Sequence, residues 1–181
     1  MGYEASLEKA WGVFGAGLGN RRIRFLGDEY EVDFSKKKIL SLSRNIEAKD
    51  YYKILILHYL AAENIIGDTN KDRWISFKEL EGGKEYFPAF RKRAIEPILK
   101  KYGDNPALIF EGAMPLSAEK MDAGSTAVSI EVFPGVKVGI VIWAKDDEFS
   151  ADCNILFNES IKKILPTEDV AVLGGIVAHS L

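Results

Sequence analysis

Alternation of apolar and polar residues predicts a β-hairpin near the N-terminus. At positions 22–25 and 30–34, apolar side chains alternate with charged ones, and Gly27-Asp28 lies between the two segments. Residues that alternate on either side of a short glycine-containing loop are typical of two antiparallel strands. The three lysines at 36–38 then indicate a solvated turn.

A second alternating region predicts a three-stranded antiparallel meander in the C-terminal half. Its strands are expected around 128–132, 136–142 and 151–157. Pro134-Gly135 fits the centre of a type II turn, because proline presets φ and glycine accepts a positive φ. Val141 and Trp143 lie on the face opposite to the other apolar residues of the middle strand, so we expect this strand to be covered on both sides.

Helical spacing or capping residues predict helices at 5–14, 49–64, 84–102 and 105–110, and others beginning at 159 and 167. The helix at 49–64 is apolar on almost every side, so it should be central and buried. Pro97 should kink or divide the helix at 84–102, because proline cannot complete the helical hydrogen bonding. We therefore expect an α+β fold in one domain, 1–181, with the mainly antiparallel sheet packed against helices.

Composition and charge exclude several classes of protein. Apolar residues make up 47% and charged residues 28%, values typical of a globular chain and unlike disordered or collagen-like sequences. Cys153 is the only cysteine, so no intrachain disulfide forms, and its position on an apolar strand face favours a packed thiol. No apolar run reaches the ~18 residues of a membrane span. With no signal-peptide pattern at the start, we expect a cytoplasmic protein without membrane association.

Charge also argues against nucleic-acid binding. The net charge is −3, and it is divided unevenly, with +4 in residues 1–103 and −7 in residues 104–181. A phosphate-binding patch from Arg21, Arg22, Arg24 and 36–38 is an alternative, but the sequence pI of 5.5 is far from that of a nucleic-acid binder. The glycines at 15–19 follow a helix and precede a strand, the reverse of the order in a dinucleotide-binding fingerprint.

A calcium loop is one candidate site. Asp68, Asn70 and Asp72 fall at the first, third and fifth positions of a twelve-residue EF-hand loop, and Glu79 falls at the twelfth. That spacing supplies the oxygen ligands that Ca²⁺ requires. However, Arg73 occupies the sixth position, where the sharp turn calls for glycine. The alternative is a polar connection between helices in which Asp68 is a cap.

His58 and an acidic cluster are two further candidates. His58 lies within the predicted buried helix, where an imidazole acts as a general base or an axial ligand, or more commonly as a core residue with one hydrogen bond. Asp146, Asp147 and Glu148 lie beside Trp143 and an adjacent phenylalanine. They could bind a cation or amine, or supply acid–base carboxylates; the alternative is an ordinary solvated turn.

Two stretches of the sequence resemble an uncharacterised family, domain of unknown function 3786. The first is Trp-Ile-Ser-Phe-Lys-Glu-Leu at 74–80 with Tyr86, preceded by His-Tyr-Leu at 58–60. The second is Ile-Trp-Ala-Lys-Asp-Asp-Glu-Phe at 142–149, with Leu-Pro-Thr-Glu-Asp at 165–169. The resemblance implies a protein of anaerobic bacteria and archaea, associated with corrinoid, one-carbon or iron–sulfur metabolism. It implies no activity, and this chain lacks the four-cysteine segment that some relatives carry.

We combine these observations into one predicted site and two alternatives. The principal hypothesis is an accessory protein that binds an unidentified small molecule or protein through a single surface, formed by His58, Trp74, Tyr86, Trp143, Asp146, Asp147 and Glu148. Aromatic side chains would supply contact area there, and the carboxylates would orient a polar or cationic group. The alternatives are a small enzyme with His58 or Asp147 as general base, and a protein stabilised by Ca²⁺.

Overall fold

The computed structural model describes residues 3–15, 17–63 and 73–181, and they form an α+β fold with two antiparallel sheets. The chain order of the elements is α1 (Glu4–Gly12), β1 (Arg21–Phe25), β2 (Asp28–Asp33), β3 (Lys38–Ser41), β4 (Ile46–Glu47), α2 (Asp50–Ala62), β5 (Trp74–Ser76), α3 (Gly83–Phe90), α4 (Glu96–Tyr102), α5 (Ile109–Ala113), β6 (Glu119–Met121), β7 (Thr126–Phe133), β8 (Val136–Trp143), β9 (Asp152–Asn158), α6 (Ile161–Ile164) and α7 (Thr167–Ser180). The predicted fold class is confirmed.

The N-terminal sheet extends the predicted hairpin to four strands in the order β1-β2-β3-β4. Ile23, Phe25, Tyr30, Val32 and Ile39 are buried on one face of it. Gly27, in the turn between β1 and β2, has a φ of 76°, a value that glycine adopts without the steric cost of a side chain. The alternation that predicted this hairpin is therefore the alternation between the buried and the solvated face.

The C-terminal sheet has five strands in the order β5-β9-β8-β7-β6. Its centre is the predicted meander of β7, β8 and β9, and Gly135 has the positive φ that a type II turn requires. The sequence analysis did not find the two edge strands, β5 and β6. Each has three residues, too few to show alternation.

Helices cover one face of the five-stranded sheet. Eight of the thirteen residues of α2 are buried, in line with its apolar surface, and His58 is half-buried. The predicted division of the helix at 84–102 is also present, since a π-helical turn at Arg91–Ile95 separates α3 from α4. The wide turn comes just before Pro97, where the proline ring would otherwise press on the preceding helical turn.

Only part of the middle strand of the meander, β8, is covered on both of its faces. Val141, on the outer face, is 2% exposed because the loop carrying Gly124 lies over it. Trp143, two residues further along the same face, is 43% exposed. The expectation of full coverage is therefore wrong at the end of β8, where an indole ring is left open to solvent.

Among the described residues, no helix has both the length and the apolar character needed to cross a membrane.

Candidate functional site

The end of β8 and the loop after it place two exposed aromatic side chains, Trp143 and Phe149, on the lining of one cavity. Trp143 is the last residue of β8 and pairs with Asp152 of β9. Asp146 closes the loop, because its Oδ1 accepts hydrogen bonds from the backbone N–H of Glu148 at 2.9 Å and of Phe149 at 2.7 Å. The backbone N–H of Asp146 also donates to the Phe149 carbonyl oxygen. This turn keeps Phe149, which is 69% exposed, on the rim next to Trp143.

A cavity of about 690 Å³ lies between this loop and the π-helical turn. Its lining combines two aromatic side chains with several polar ones: Arg91, Ser125, Trp143, Ala144, Asp146, Phe149, Ser150, Ala151 and Asp152. This combination of apolar surface with a few polar groups is typical of ligand-binding sites.

Arg91 and Asp152 form the polar wall of the cavity. Both terminal nitrogens of the Arg91 guanidinium lie 3.3–3.4 Å from Asp152 Oδ1, and both side chains are partly exposed. A long ion pair in contact with water contributes little to stability. Asp152 can accept further hydrogen bonds, because an ionised carboxylate offers about four acceptor positions.

The cavity has a negative local charge. Asp146, Asp147, Glu148 and Asp152 lie within one ten-residue stretch with a single lysine, and Arg91 supplies the other positive charge. Asp146, Asp152 and Arg91 give the cavity lining a net charge of −1, and the exposed Asp147, Glu148 and Lys145 beside it bring the total to −2. Such a field attracts cations, and the face of an aromatic ring adds a further attraction for them.

Trp74 lies away from this cavity. It pairs with Asn158 at one end of β9, whereas Trp143 pairs with Asp152 at the other end. At about 3.3 Å per residue, the two ends of the strand are about 20 Å apart. Trp74 packs over Gly139 and lines a separate cavity of about 720 Å³ on the outer face of the sheet.

The structure also separates the other predicted site residues. Tyr86 projects from α3 into a third cavity, between α2, α3 and α7. Asp147 and Glu148 are exposed in the loop after β8. Of the seven side chains expected to share one surface, Trp143 and Asp146 line a common cavity, so the single-surface arrangement is wrong.

His58 forms a pair with Asp169 that links two helices. His58 Nδ1 on α2 lies 2.5 Å from Asp169 Oδ2 in the first turn of α7. The side chain of His58 is 30% exposed and that of Asp169 is 15% exposed. A carboxylate on one ring nitrogen fixes the orientation of an imidazole, and it leaves Nε2 as the position that exchanges protons.

Glu79, the predicted twelfth ligand of a calcium loop, makes a local contact instead. Its Oε2 accepts a hydrogen bond from the backbone N–H of Ser76 at 2.7 Å and another from the Ser76 hydroxyl at 3.1 Å. These two groups form a capping box at the short 3₁₀ helix Phe77–Glu79. The backbone hydrogen bond, above all, lowers the pKa of Glu79 below its ordinary value.

The other predicted calcium ligands, Asp68, Asn70 and Asp72, lie outside the described residues. Within residues 3–15, 17–63 and 73–181, no group of three or more His, Cys, Asp or Glu side chains has the arrangement of a metal site. Calcium binding at 68–79 stays a prediction. Calorimetry with Ca²⁺ on chelator-treated protein tests it.

The prediction of a packed Cys153 thiol is confirmed. Cys153 is 2% exposed on the buried face of β9. Burial, aided by the charge of Asp152, raises the pKa of the thiol to about 12. Because the thiolate is the nucleophile, this cysteine has no reactive form near neutral pH.

Residues 8–180 match the model of a family described as Domain of unknown function (DUF3786). The chain belongs to the DUF3786 family. The resemblance of the sequence to that family is therefore confirmed. Neither the curated proteins nor the solved structures gave a significant match.

Sequence reasoning missed two polar residues of the cavity in this DUF3786 chain. Arg91 and Ser125 lie far from the loop after β8 in sequence, and neither belongs to a motif. Ser125 accepts a hydrogen bond from the Ala144 backbone N–H at 2.9 Å, so its own hydroxyl hydrogen is directed to another acceptor. The available signal for Arg91 was Pro97, which predicts a break in the helix that contains Arg91. The break is a π-helical turn, and such turns within helices frequently occur at functional sites.

Proposed function

We propose that this DUF3786 protein binds a small organic cation in the cavity between Trp143 and Phe149. The observation that supports this most strongly is the pair of exposed aromatic side chains beside the carboxylates of Asp146 and Asp152. Large apolar side chains that are exposed to water next to each other, with polar or charged groups around them, are typical of a site that a ligand covers.

The chemistry of the cavity favours a cation over an anion. A quaternary or protonated amine would lie against the indole of Trp143, the best ring for cation–π attraction. Asp152 would add a direct ionic contact, and Asp146 would contribute its charge while its Oδ1 holds the turn. An anion would meet the carboxylates of Asp146 and Asp152, and Arg91, the cationic group of the lining, is already paired with Asp152.

The family provides the setting for this proposal. We propose a cytoplasmic accessory protein linked to anaerobic corrinoid, one-carbon or iron–sulfur metabolism, and we propose methylated and protonated amines as the first ligands to test. The finding that residues 8–180 belong to DUF3786 supports membership alone. The ligand class is inferred from the cavity.

Trp143→Ala is expected to weaken binding of benzyltrimethylammonium by about tenfold or more, corresponding to about 1.4 kcal/mol of lost cation–π and apolar contact. Isothermal titration calorimetry measures the affinity. Asp146→Asn should weaken binding less, because the amide oxygen still accepts the two backbone hydrogen bonds and only the charge is removed. Phe110→Ala is the matched control, an exposed aromatic residue that does not line this cavity.

Benzyl alcohol and benzoate test whether charge selects the ligand. The cation should bind more tightly than the neutral alcohol, and the alcohol more tightly than the carboxylate. Equal affinity for all three compounds would contradict the proposal, as would equal binding of the cation by Trp143→Ala and the unaltered protein.

A second candidate function, a small enzyme with His58 as general base, is favoured by the contact of His58 with Asp169. In this proposal Asp169 is a positioning residue that orients the ring, and Nε2 accepts the proton. Two helices far apart in sequence supply the partners, with His58 on α2 and Asp169 in the first turn of α7. Asp147, the other base in the original hypothesis, is exposed in a loop and has no such support.

His58→Gln is expected to reduce hydrolysis of 4-nitrophenyl acetate by about 100-fold, the usual contribution of a general base. The rate is followed by absorbance of the released nitrophenol. His179→Gln is the matched control, since His179 is the other histidine of the chain and lies at the opposite end of α7. If the two variants hydrolyse the ester at the same rate while unfolding data show that both are folded, the Asp169 contact is structural only.

A further inference from the structure

The cavity that Tyr86 lines, of about 560 Å³, lies between the start of α2, α3 and α7, on a different part of the surface from Trp143. Tyrosines form much of its wall. Tyr51 and Tyr52 approach each other with ring centroids 5.1 Å apart, at 77°. Tyr86, 38% exposed, lines the cavity from α3. Aromatic rings from two helices thus face one space that is open to solvent.

Gly175 of α7 lines this cavity, and its lack of a side chain keeps the space open. A Cβ added at Gly175 would meet nothing within 4 Å, whereas one at the neighbouring Gly174 would come 2.6 Å from the ring of Phe90. Packing therefore explains the glycine at 174 and not the one at 175. Glycine within a helix is less favourable than alanine by about 1 kcal/mol. What glycine contributes at residue 175 is open space in the cavity, which a larger side chain would occupy.

Positive charge converges on the same space. Lys49 and Arg93 bring two positive charges to the cavity and Glu168 contributes one carboxylate, while His179 lines the cavity from α7. The Arg93 guanidinium donates one hydrogen bond to the Tyr86 hydroxyl at 2.9 Å, and its remaining N–H groups are not needed for that contact. An adjoining cavity of about 450 Å³ shares Arg93 and His179, and it adds Lys92.

His179 is oriented by its own helix. Its Nδ1 lies 2.7 Å from the Gly175 carbonyl oxygen, which can only accept a hydrogen bond, so Nδ1 donates. The other ring nitrogen, Nε2, is therefore left to interact with whatever occupies the cavity. Unlike the Trp143 cavity, this space combines aromatic walls with an excess of cationic groups.

We propose that this cavity binds a planar aromatic anion, with its ring against the tyrosines and above Gly175 and its acidic group at Arg93 and Lys49. Guanidinium groups recognise carboxylates and related oxyanions through paired N–H donors. The edges and faces of the tyrosine rings favour contact with a further ring. The site is independent of the cation site at Trp143, since the two cavities share no lining residue.

Titration with 2-naphthoate, followed by calorimetry, tests the proposal. Gly175→Leu should weaken binding about tenfold or more, because the new side chain fills the space above α7. Gly12→Leu is the matched control, since its helix position also has nothing within 4 Å of an added Cβ. Arg93→Gln should weaken binding by a similar factor, and 2-naphthol, the neutral analogue, should bind more weakly than 2-naphthoate.

Two results would overturn the proposal. One is unchanged 2-naphthoate affinity in Gly175→Leu when circular dichroism shows the variant folded. The other is equal affinity for 2-naphthoate and 2-naphthol, which would leave no function for the cationic groups. Trp143→Ala distinguishes this site from the cation site, because it should leave 2-naphthoate binding unchanged.

Discussion

Phe133→Ala is expected to lower the free energy of unfolding by about 3–5 kcal/mol, the usual cost of removing a buried phenylalanine. Phe133 is 1% exposed at the end of β7. Its ring stacks on Phe25 of β1 with centroids 4.5 Å apart, and on Tyr59 of α2 at 4.4 Å. The side chain therefore joins the two sheets and the buried helix at one point, so its removal leaves a cavity in the core.

Chemical denaturation followed by far-ultraviolet circular dichroism measures this loss. Phe149→Ala is the matched control, since Phe149 is 69% exposed and its truncation should change stability by less than about 0.5 kcal/mol. A backbone hydrogen bond from Leu26 N–H to the Val132 carbonyl oxygen, 3.0 Å, lies beside the stack and should remain. A loss below about 1 kcal/mol in Phe133→Ala would show that the three rings do not hold the sheets together.

The second large effect is expected at alkaline pH, where stability should fall steeply between pH 10 and pH 12. Burial raises the pKa of both Tyr30 and Tyr59 to about 12 from an ordinary value of 10.0. The charge of Asp28 adds to the effect at Tyr30, and Glu63 and Glu131 add to it at Tyr59. Both side chains are almost fully buried, so ionisation is strongly opposed in the folded state.

The direction of the pH effect follows from which state loses its protons first. Below pH 10 both tyrosines are neutral in the folded and the unfolded chain, and their full contribution to stability is present. Between pH 10 and 12 the unfolded chain ionises while the folded chain does not, so stability decreases as pH rises. A difference of about two pKa units corresponds to about 2–3 kcal/mol for each tyrosine. The raised pKa of Cys153 acts in the same direction from pH 9.

Tyr59→Phe isolates the contribution of one of these groups. The variant retains the ring stacked on Phe133 and loses the hydrogen bond from the Tyr59 hydroxyl to the Pro134 carbonyl oxygen, 2.9 Å. At pH 7 it should therefore be less stable by about 1 kcal/mol. From pH 10 to 12 its stability should decline less than that of the unaltered protein. Identical slopes in the two proteins would contradict the raised pKa of Tyr59.

Much of the fold was predictable because the relevant information is local. The alternation in β1, β2 and the meander reports which face each residue presents, so it needs no knowledge of distant segments. The same holds for α2, whose apolar surface indicates burial, and for the division before Pro97. β5 pairs with β9, more than 70 residues later. A three-residue edge strand depends on such a partner and carries no periodicity of its own.

In the candidate site too, local sequence predicted some of the residues and distant segments supplied the others. Trp143 and Asp146 share one cavity because they belong to a single strand end and its turn. Arg91 joins them from a helix, and no spacing in the sequence relates a helix residue to that turn. Trp74 carries an equally clear motif, yet the antiparallel register of β5 with β9 places it at the far end of the sheet.

The order of amino acids by itself determined the α+β class, the buried helix, the meander and the aromatic–acidic turn after β8, because each depends on side chains within one or two turns or strands of each other. Only the tertiary structure decided that His58 meets Asp169, that Arg91 closes the Trp143 cavity, and that tyrosines and cationic groups surround Gly175. Those contacts join segments whose relative positions follow from how the whole core packs.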